Sequence, residues 1–279
     1  RHDNLSKIIE NGVDVIVAGI SSIGIEWFAN EISKFCKNKI SIILLTKGLA
    51  VEDDQLITLS EKLENILKKN GHKSANISSV KGPCLATGLA HKMRTGTVIA
   101  NQNLKQAQKI QKLISTEYYK SEITDDIPGV EFSAAIKNIY SMLIGAAEGL
   151  SSPSAPTEIQ EKFYLNTSAS LVYRSISEMV EFVSYYSGRV ETVYGLAGLG
   201  DLHVSVAGGR NSLMGKYLGQ GYLYKDAKEN FMKEITVEGA QLAFEIEPKI
   251  KKNFKEKQFP LMFSILKCIC YNKKLEINW

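Results

Sequence analysis

The amino-terminal half of the sequence alternates short β-branched runs with stretches of helical periodicity, and this alternation limits the possible folds more than any other feature. The runs that predict strands cover residues 13–19, 39–45, 76–80, 96–100 and 117–124. Apolar side chains with helical spacing follow at residues 25–36, 56–67, 85–91 and 104–115. Because strands that alternate with helices build layered folds, we predict an α/β protein with an open, doubly wound parallel sheet.

The sequence changes character at Pro128. Residues 130–150 form one long apolar helical pattern, and further helices are predicted for residues 158–186, 212–218, 224–233, 236–246 and 260–272. Pro248 is expected to interrupt any helix that continues past Ile246, because proline lacks a backbone N–H. A sheet-forming half followed by an all-helical half predicts two domains, residues 1–127 and residues 128–279.

Composition excludes several classes of function. The net charge of the 279 residues is only +4, and no basic run is interleaved with aromatic residues, so nucleic acid is not an expected partner. No apolar run has the length of a membrane span, so no membrane insertion is expected. The four histidines are scattered, and the spacing of the four cysteines matches neither a disulfide framework nor a zinc site. We therefore expect a cytoplasmic protein without a bound metal.

Polar residues follow three of the predicted strands. Ser21 and Ser22 follow the first strand, Lys47 the second, and Gly82 and Cys84 the third. Ligands of open α/β sheets bind outside the carboxyl ends of the strands, where a lysine suits an anion and backbone N–H groups suit a phosphate. Loops at any sheet edge carry polar residues, so a solvent-exposed lysine and a simple turn remain the alternatives.

Lys137 lies in the long helix that is otherwise dominated by apolar residues, with Asn138 beside it. Burial lowers the pKa of a lysine, and a nearby carboxylate raises it again, so such a lysine can serve as a general acid or base. Asn138 can hydrogen-bond a substrate. The alternatives are a lysine whose ammonium group reaches solvent and an asparagine that caps a backbone group.

A glycine-rich stretch at residues 195–200 leads directly into Asp201, and Arg210 and Asn211 follow shortly after. Glycines let a backbone approach a ligand closely, Asp201 can orient a cation, and the planar fork of Arg210 suits a phosphate or carboxylate. Asp201 is one carboxylate that would raise the pKa of Lys137 if it lay nearby. The alternative is a tight turn between helices with a surface Asp–Arg pair.

Taken together, these stretches resemble the NAD(P)-dependent sn-glycerol-3-phosphate dehydrogenase family. The matching motifs occur in the family's order over nearly the whole chain, at residues 45–48, 82–86, 129–138, 195–202, 209–211, 237–239 and 259–261. The resemblance implies part of a Rossmann-like domain followed by a helical domain like that of 6-phosphogluconate dehydrogenase. It also implies NAD or NADP as cofactor, a small phosphorylated substrate, a link to glycerophospholipid metabolism, and a homodimer formed through the helical domain.

The resemblance implies a catalytic role for three residues. Lys137 would protonate the C2 oxygen of dihydroxyacetone phosphate as a hydride arrives from the nicotinamide. Asp201 would set the pKa of Lys137, and Lys47 would contact both the substrate and the nicotinamide. Binding roles are implied for seven more positions: Gly82, Cys84, Asn138, Arg210 and Asn211 at the substrate, and Ala86, Glu238 and again Arg210 at the cofactor.

The sequence also departs from the family pattern. No Gly-x-Gly-x-x-Gly turn precedes residue 13, so the first βαβ unit is expected to lie outside this sequence or to be absent from the protein. Cys84 stands where a serine is usual, Gly88 replaces a common glutamate, and the loop at residues 151–166 differs. Two alternatives therefore remain: a truncated or non-catalytic paralogue, and a related dehydrogenase of another small anionic ketone.

Overall fold

The computed structural model describes residues 5–10, 12–35, 41–72, 75–151 and 164–278. Seven strands occur in these residues: β1 Val15–Ala18, β2 Ser41–Leu44, β3 Leu49–Glu52, β4 Gln55–Thr58, β5 Asn76–Lys81, β6 Thr95–Ala100 and β7 Tyr119–Thr124. Five of them form the central sheet in the order β1-β2-β5-β6-β7, and β3 and β4 form a separate hairpin. The predicted strands at residues 13–19, 76–80, 96–100 and 117–124 are confirmed; the second is seen at 41–44, and residues 39 and 40 lie outside the described residues.

The sheet is mixed, whereas the alternation of strands and helices predicts a parallel one. Strands β1, β2 and β5 run parallel, β6 pairs antiparallel with β5, and β7 pairs parallel with β6. The connection after β5 contains only the five-residue helix α4, Ala86–Ala90, which rises about 7.5 Å. That helix is too short to carry the chain back along a strand of about 20 Å, so β6 starts at the edge where β5 ends.

Four helices of the amino-terminal half accompany the sheet: α1 Leu5–Glu10, α2 Ile25–Phe35, α3 Leu59–Lys69 and α5 Leu104–Ile114. Their apolar stripes explain the packing. Ile25 and Ile32 of α2 and Leu63 of α3 join Leu44 of β2 in one buried cluster. Ile110 of α5 belongs to another cluster. Helices therefore cover the sheet and leave its carboxyl edge for the loops.

The hairpin β3–β4 corrects the prediction of a helix over residues 56–67. Leu56 lies in β4, and α3 begins only at Leu59. Asp53 and Asp54 adopt left-handed φ angles of 47° and 62°, which is the conformation that a tight hairpin turn demands. Thr58 then starts the helix, because its side-chain oxygen accepts from the Glu61 N–H at 3.1 Å.

The helical half is built around α6, Ile127–Ser151, which is buried on nearly every side. The helices that follow it are α7 Leu165–Tyr185, α8 Val190–Tyr194, α9 Asp201–Val206, α10 Arg210–Gly219, α11 Tyr224–Phe231, α12 Glu238–Asn253 and α13 Pro260–Cys270. The helix predicted at residues 158–186 is seen as α7, and residues 152–163 lie outside the described part of the chain. The predicted domain boundary after residue 127 remains a prediction.

Helix α10 packs against α6 through glycines. A Cβ on Gly215 would lie 1.8 Å from the Met142 carbonyl oxygen, and one on Gly145 would lie 2.3 Å from that of Ser212. Side chains at these positions would push the helices apart, so the glycines permit the close approach. The contact fixes the start of α10 beside the middle of α6.

Helix α12 corrects the expectation for Pro248. The helix continues through this proline to Asn253. The proline side chain is exposed, and the carbonyl that lacks its usual partner belongs to Phe244, which is 48% exposed. The opposite face buries Ile246 and Ile250, so packing holds the helix together despite the lost hydrogen bond. Within the described residues, no helix is both long and apolar enough to cross a membrane.

Candidate active site

A cleft of about 530 Å³ lies between the carboxyl ends of β1 and β2 and the helices α6, α9, α10 and α12. The sheet contributes the residues after each strand, including Ser21, Ser22 and Lys47. The helical half contributes the opposite wall. This location is where open α/β sheets bind their ligands.

The centre of the cleft holds two lysines on one aspartate, which we call the lysine–aspartate triad: Lys47, Asp201 and Lys137. Lys47 Nζ donates to Asp201 Oδ2 at 2.6 Å, and Lys137 Nζ donates to Asp201 Oδ1 at 2.9 Å. Asp201 and Lys137 are each 3% exposed, while the Lys47 side chain is 29% exposed. The carboxylate therefore joins a lysine from the sheet to a lysine from the long helix.

The glycine stretch explains how Asp201 reaches this place. Residues Leu196–Gly200 form a single wide helical turn that leads directly into α9. A Cβ on Gly198 would lie 2.1 Å from the Val193 carbonyl oxygen, so this turn packs too closely for a side chain. Asp201 follows this turn as the first residue of α9 and lines the cleft.

Burial is the main cause that lowers the pKa of Lys137, to about 8. The positive charge of Lys47 lowers this pKa further, and Asp201 opposes both effects by its charge and its hydrogen bond. A lysine with a pKa near 8 exchanges its proton close to neutral pH, as a general acid or base must.

A second set of polar contacts links α6, α10 and α12. Asn211 Nδ2 donates to Asn138 Oδ1 at 3.1 Å, and the Gly239 N–H donates to Asn211 Oδ1 at 2.9 Å. Arg210 Nη2 donates to Glu238 Oε1 at 2.8 Å. Glu238 is the first residue of α12, and its carboxylate binds this arginine, so the pair stands at the mouth of the cleft.

The structure brings nearly all of the predicted site residues to this cleft: Lys47, Cys84, Ala86, Lys137, Asn138, Asp201, Arg210, Asn211 and Glu238. Gly82 is the exception, because it does not line the cleft. Its φ of 135° suits glycine, and a Cβ there would lie 3.0 Å from the Thr97 Cα. Gly82 therefore turns the chain so that Cys84 and Ala86 face the cleft.

Sequence reasoning missed Ser205. Lys137 Nζ donates to Ser205 Oγ at 2.5 Å, so this hydroxyl is a third polar partner at the centre of the cleft. Ser205 lies four residues after Asp201 on α9, and residues at that spacing share one face of a helix. That spacing was the signal available in the sequence.

Cys84 faces the cleft as a thiol. Burial raises the pKa of Cys84, and the nearby charge of Lys47 only partly opposes this effect. A raised pKa disfavours the thiolate, so the arrangement offers no activated cysteine nucleophile at this position.

A sheet-forming half and a helical half with a lysine–aspartate triad in the cleft between them match the architecture of a nicotinamide-dependent dehydrogenase. Residues 2–107 match the model of the NAD-dependent glycerol-3-phosphate dehydrogenase N-terminus, and residues 126–277 match that of the C-terminus. The chain therefore belongs to the NAD-dependent glycerol-3-phosphate dehydrogenase family. The predicted family and the predicted succession of an α/β half and a helical half are confirmed.

Individual relatives agree with the family models. The chain is 30% identical to an NADP(+)-dependent glycerol-3-phosphate dehydrogenase of Archaeoglobus fulgidus, over 98% of this chain and 78% of the relative. It is 28% identical to a glycerol-3-phosphate dehydrogenase [NAD(P)+] of Mesoplasma florum, over 96% and 77%.

A solved structure of glycerol-3-phosphate dehydrogenase from Saccharomyces cerevisiae matches with a TM-score of 0.82 at 19% identity, over 97% of this chain and 75% of that one. The structure from Coxiella burnetii matches with a TM-score of 0.77 at 23% identity, over 97% and 76%. At these identities, the two structures establish the shared fold.

Proposed function

We propose that the cleft is the active site of an oxidoreductase that interconverts dihydroxyacetone phosphate and sn-glycerol 3-phosphate with NAD(P)H. The observation that carries this proposal is the lysine–aspartate triad at the carboxyl edge of the sheet. A ketone and a secondary alcohol differ by a hydride and a proton, so the reaction needs a proton donor beside the reacting carbon. Membership of the family supports this substrate class.

The sheet side of the cleft fits a nicotinamide dinucleotide. Gly48 has a φ of 137°, and a Cβ there would lie 3.2 Å from the Ser22 Cβ, so glycine lets the turn after β2 pack closely against the loop after β1. Lys47 and Arg210 bring positive charge to the cleft beside this turn, and Ala86 and Glu238 also line the cleft. The reduced nicotinamide ring of a bound dinucleotide would supply the hydride. The positive charges of Lys47 and Arg210 suit the anionic phosphates of the dinucleotide.

Lys137 is proposed as the acid/base residue. Its ammonium group donates one proton to the C2 oxygen of the ketone and recovers it when the alcohol is oxidised. Asp201 and Ser205 hold Nζ in position, at 2.9 Å and 2.5 Å. Asp201 also stabilises the protonated lysine, and Lys47 places a second positive charge where negative charge develops on the oxygen.

The helical wall is proposed to bind the substrate phosphate. Arg210 and Asn211 begin α10, whose first turn presents backbone N–H groups and the positive end of the helix dipole. Arg210 would exchange its contact with Glu238 for the phosphate, while Asn138 is held by Asn211. Gly82 shapes the loop that brings Cys84 to the substrate side.

We propose a cytoplasmic homodimer as the working form. The free thiols of Cys84, Cys268 and Cys270 support a reducing compartment.

The dimer is supported by large apolar side chains that remain exposed on the helical half, including Tyr173 at 72% and Phe244 at 48%. Sedimentation equilibrium tests the dimer: a mass that stays near 30.9 kDa at micromolar concentration would exclude it.

The function is tested by following NADH and NADPH oxidation with dihydroxyacetone phosphate and with a panel of phosphorylated and carboxylated ketones. We expect dihydroxyacetone phosphate to have the highest kcat/KM. A higher value for another ketone would reassign the substrate, and no turnover with any ketone would remove the enzymatic function. Lys249→Met serves as the control for the lysine variants described below, because Lys249 is buried and ion-paired with Asp54 outside the cleft.

A further inference from the structure

One buried lysine lies next to the cleft without lining it. Lys81 is the last residue of β5, and it is only 3% exposed. Its ammonium group donates to the Leu44 carbonyl oxygen at 3.0 Å and to Ser79 Oγ at 2.6 Å. Burying an ammonium group is unfavourable, and apolar side chains of similar volume often fill such positions at lower free energy. The charge of Lys81 therefore indicates a role beyond filling the core.

The charges around Lys81 connect it to the cleft. Burial lowers the pKa of Lys81 to about 8; the carboxylate of Glu131 on α6 opposes this, Lys47 lowers the pKa and Asp201 raises it. Glu131 is itself buried and accepts from the Ser60 N–H at 3.1 Å and from the Ser60 hydroxyl. Lys81 is thus electrostatically coupled to two members of the lysine–aspartate triad, and the charge of Glu131 partly offsets the burial of its ammonium group.

The hydrogen bond to the Leu44 carbonyl also connects Lys81 to the turn that follows β2. Leu44 is the last residue of β2, and Lys47 follows three residues later. The Leu45 N–H is held by the Ala18 carbonyl at 3.0 Å, and the Thr46 hydroxyl donates to the Ile20 carbonyl at 2.8 Å. Lys81 fixes this turn from the β5 side, while the other two contacts fix it from the β1 side. The turn between them carries Lys47 to Asp201.

We propose that Lys81 is a positioning residue for the reaction: it holds the turn that carries Lys47 onto Asp201 and adds a positive charge behind the lysine–aspartate triad. This inference rests on the proposed function, because the triad is the centre to which Lys81 is coupled. Lys81 touches neither the cleft nor its ligands, so it acts through Lys47 and Asp201.

Two substitutions separate the hydrogen bond from the charge. Lys81→Met removes both, and Lys81→Gln removes the charge but keeps a donor in reach of the Leu44 carbonyl. We expect Lys81→Met to lower kcat about ten- to hundredfold with little change in KM, because a displaced Lys47 affects the transition state more than ground-state binding. Lys81→Gln is expected to lose less activity. Near-UV circular dichroism first confirms that each variant is folded, with Lys249→Met as the buried-lysine control.

The pH profile supplies the readout that a structural role would not change. Removing a positive charge near the triad raises the pKa of Lys137. The pH at which kcat falls to half its maximum, the midpoint of the profile, is therefore expected to rise by about half a pH unit in both variants. Lys249→Met should leave the midpoint in place. A folded Lys81→Met with wild-type kcat and an unmoved midpoint would overturn the proposal, as would an equal shift in Lys249→Met.

Lysine side-chain NMR keeps this proposal distinct from the proposed function. The titration of the Lys137 ammonium group, followed with ¹³C-labelled lysine, needs no substrate. An inactive wild type whose Lys137 titration still shifts in Lys81→Gln would remove the proposed function and retain the coupling. An active wild type whose Lys137 titration is the same with and without Lys81 would remove the coupling and retain the function.

Discussion

Asp126 and Asp201 are two buried carboxylates on the same helical framework, and they differ in the groups that they bind. Asp126 is 6% exposed and accepts from the N–H groups of Gly129 and Arg189, both at 2.9 Å, and from the Thr192 hydroxyl at 2.6 Å. Asp201 is 3% exposed, and its partners are the ammonium groups of two lysines.

Burial alone does not mark a functional carboxylate. Asp126 binds backbone and hydroxyl donors, and the exposed Arg189 guanidinium lies 3.8 Å away, so Asp126 joins the start of α6 to the start of α8. Asp201 holds two titratable groups at the wall of a cleft. We therefore expect changes at Asp126 to alter stability and changes around Asp201 to alter chemistry.

The largest effect is expected for Lys137→Met. Removing the proton donor should lower kcat by about a thousandfold, within the range that general acid catalysis contributes, with little change in melting temperature. Steady-state kinetics and thermal unfolding of the same preparation measure both. Near-normal turnover would show that the triad does not carry the chemistry.

Asp201→Asn and Asp126→Asn test whether the two carboxylates differ in role. Asp201→Asn should lower kcat about a hundredfold, because the amide no longer orients and stabilises the Lys137 ammonium group. Asp126→Asn should lower the free energy of unfolding by about 2 kcal/mol, because an amide N–H must face a backbone donor, and should keep kcat per folded molecule. Urea unfolding and steady-state kinetics of both variants measure these effects. A loss of stability alone in Asp201→Asn together with a loss of kcat in folded Asp126→Asn would contradict the assigned roles.

A smaller effect is expected for Arg210→Ala, which leaves the triad in place. Loss of one charge-assisted hydrogen bond to a phosphate should raise KM for dihydroxyacetone phosphate about ten- to hundredfold. The matched variant Arg189→Ala removes an exposed arginine at the Asp126 junction and should leave KM unchanged. An unchanged KM in Arg210→Ala would separate α10 from phosphate binding.

The smallest effect is the pH dependence of stability. The pKa of Lys137 is lowered from 10.5 to about 8 in the folded protein, so between these values the unfolded chain binds more protons. The free energy of unfolding should therefore rise with pH across this window, and Lys137→Met should reduce that slope. In the same window, the kcat of ketone reduction should fall as Lys137 loses its proton. Unfolding curves at pH 7.5 and pH 9.5 test the sign; a steeper slope in the variant would contradict it.

Local patterns predicted most of the elements, and two errors have identifiable physical causes. The hairpin was missed because Leu56 suits a helix as well as a strand, and only the left-handed Asp53 and Asp54 reveal the turn. Pro248 was misjudged because a helix buried on its opposite face tolerates one lost hydrogen bond on the solvent side.

The candidate site was predictable to the extent that its residues lie in recognisable motifs. The pairing of Lys137 with Asp201 was implied by the resemblance to the family, and a buried lysine favours a nearby carboxylate. Ser205 and Lys81 were not predicted as site residues. The four-residue spacing from Asp201 was the sequence signal for Ser205, and a lysine at the end of a strand has no local feature that distinguishes it from a surface residue.

Periodicity and motif order in the sequence predict most of the elements, the succession of a sheet-forming and a helical half, and the family. Which residues meet depends on the packing of these elements. Lys47 and Asp201 are 154 positions apart and become neighbours only when α6, α9 and the edge of the sheet pack together. The close contact of α6 with α10 depends on the same packing, and so does the coupling of Lys81 to the triad. Burial and distance in space determine the interaction energies of these groups and their pKa values.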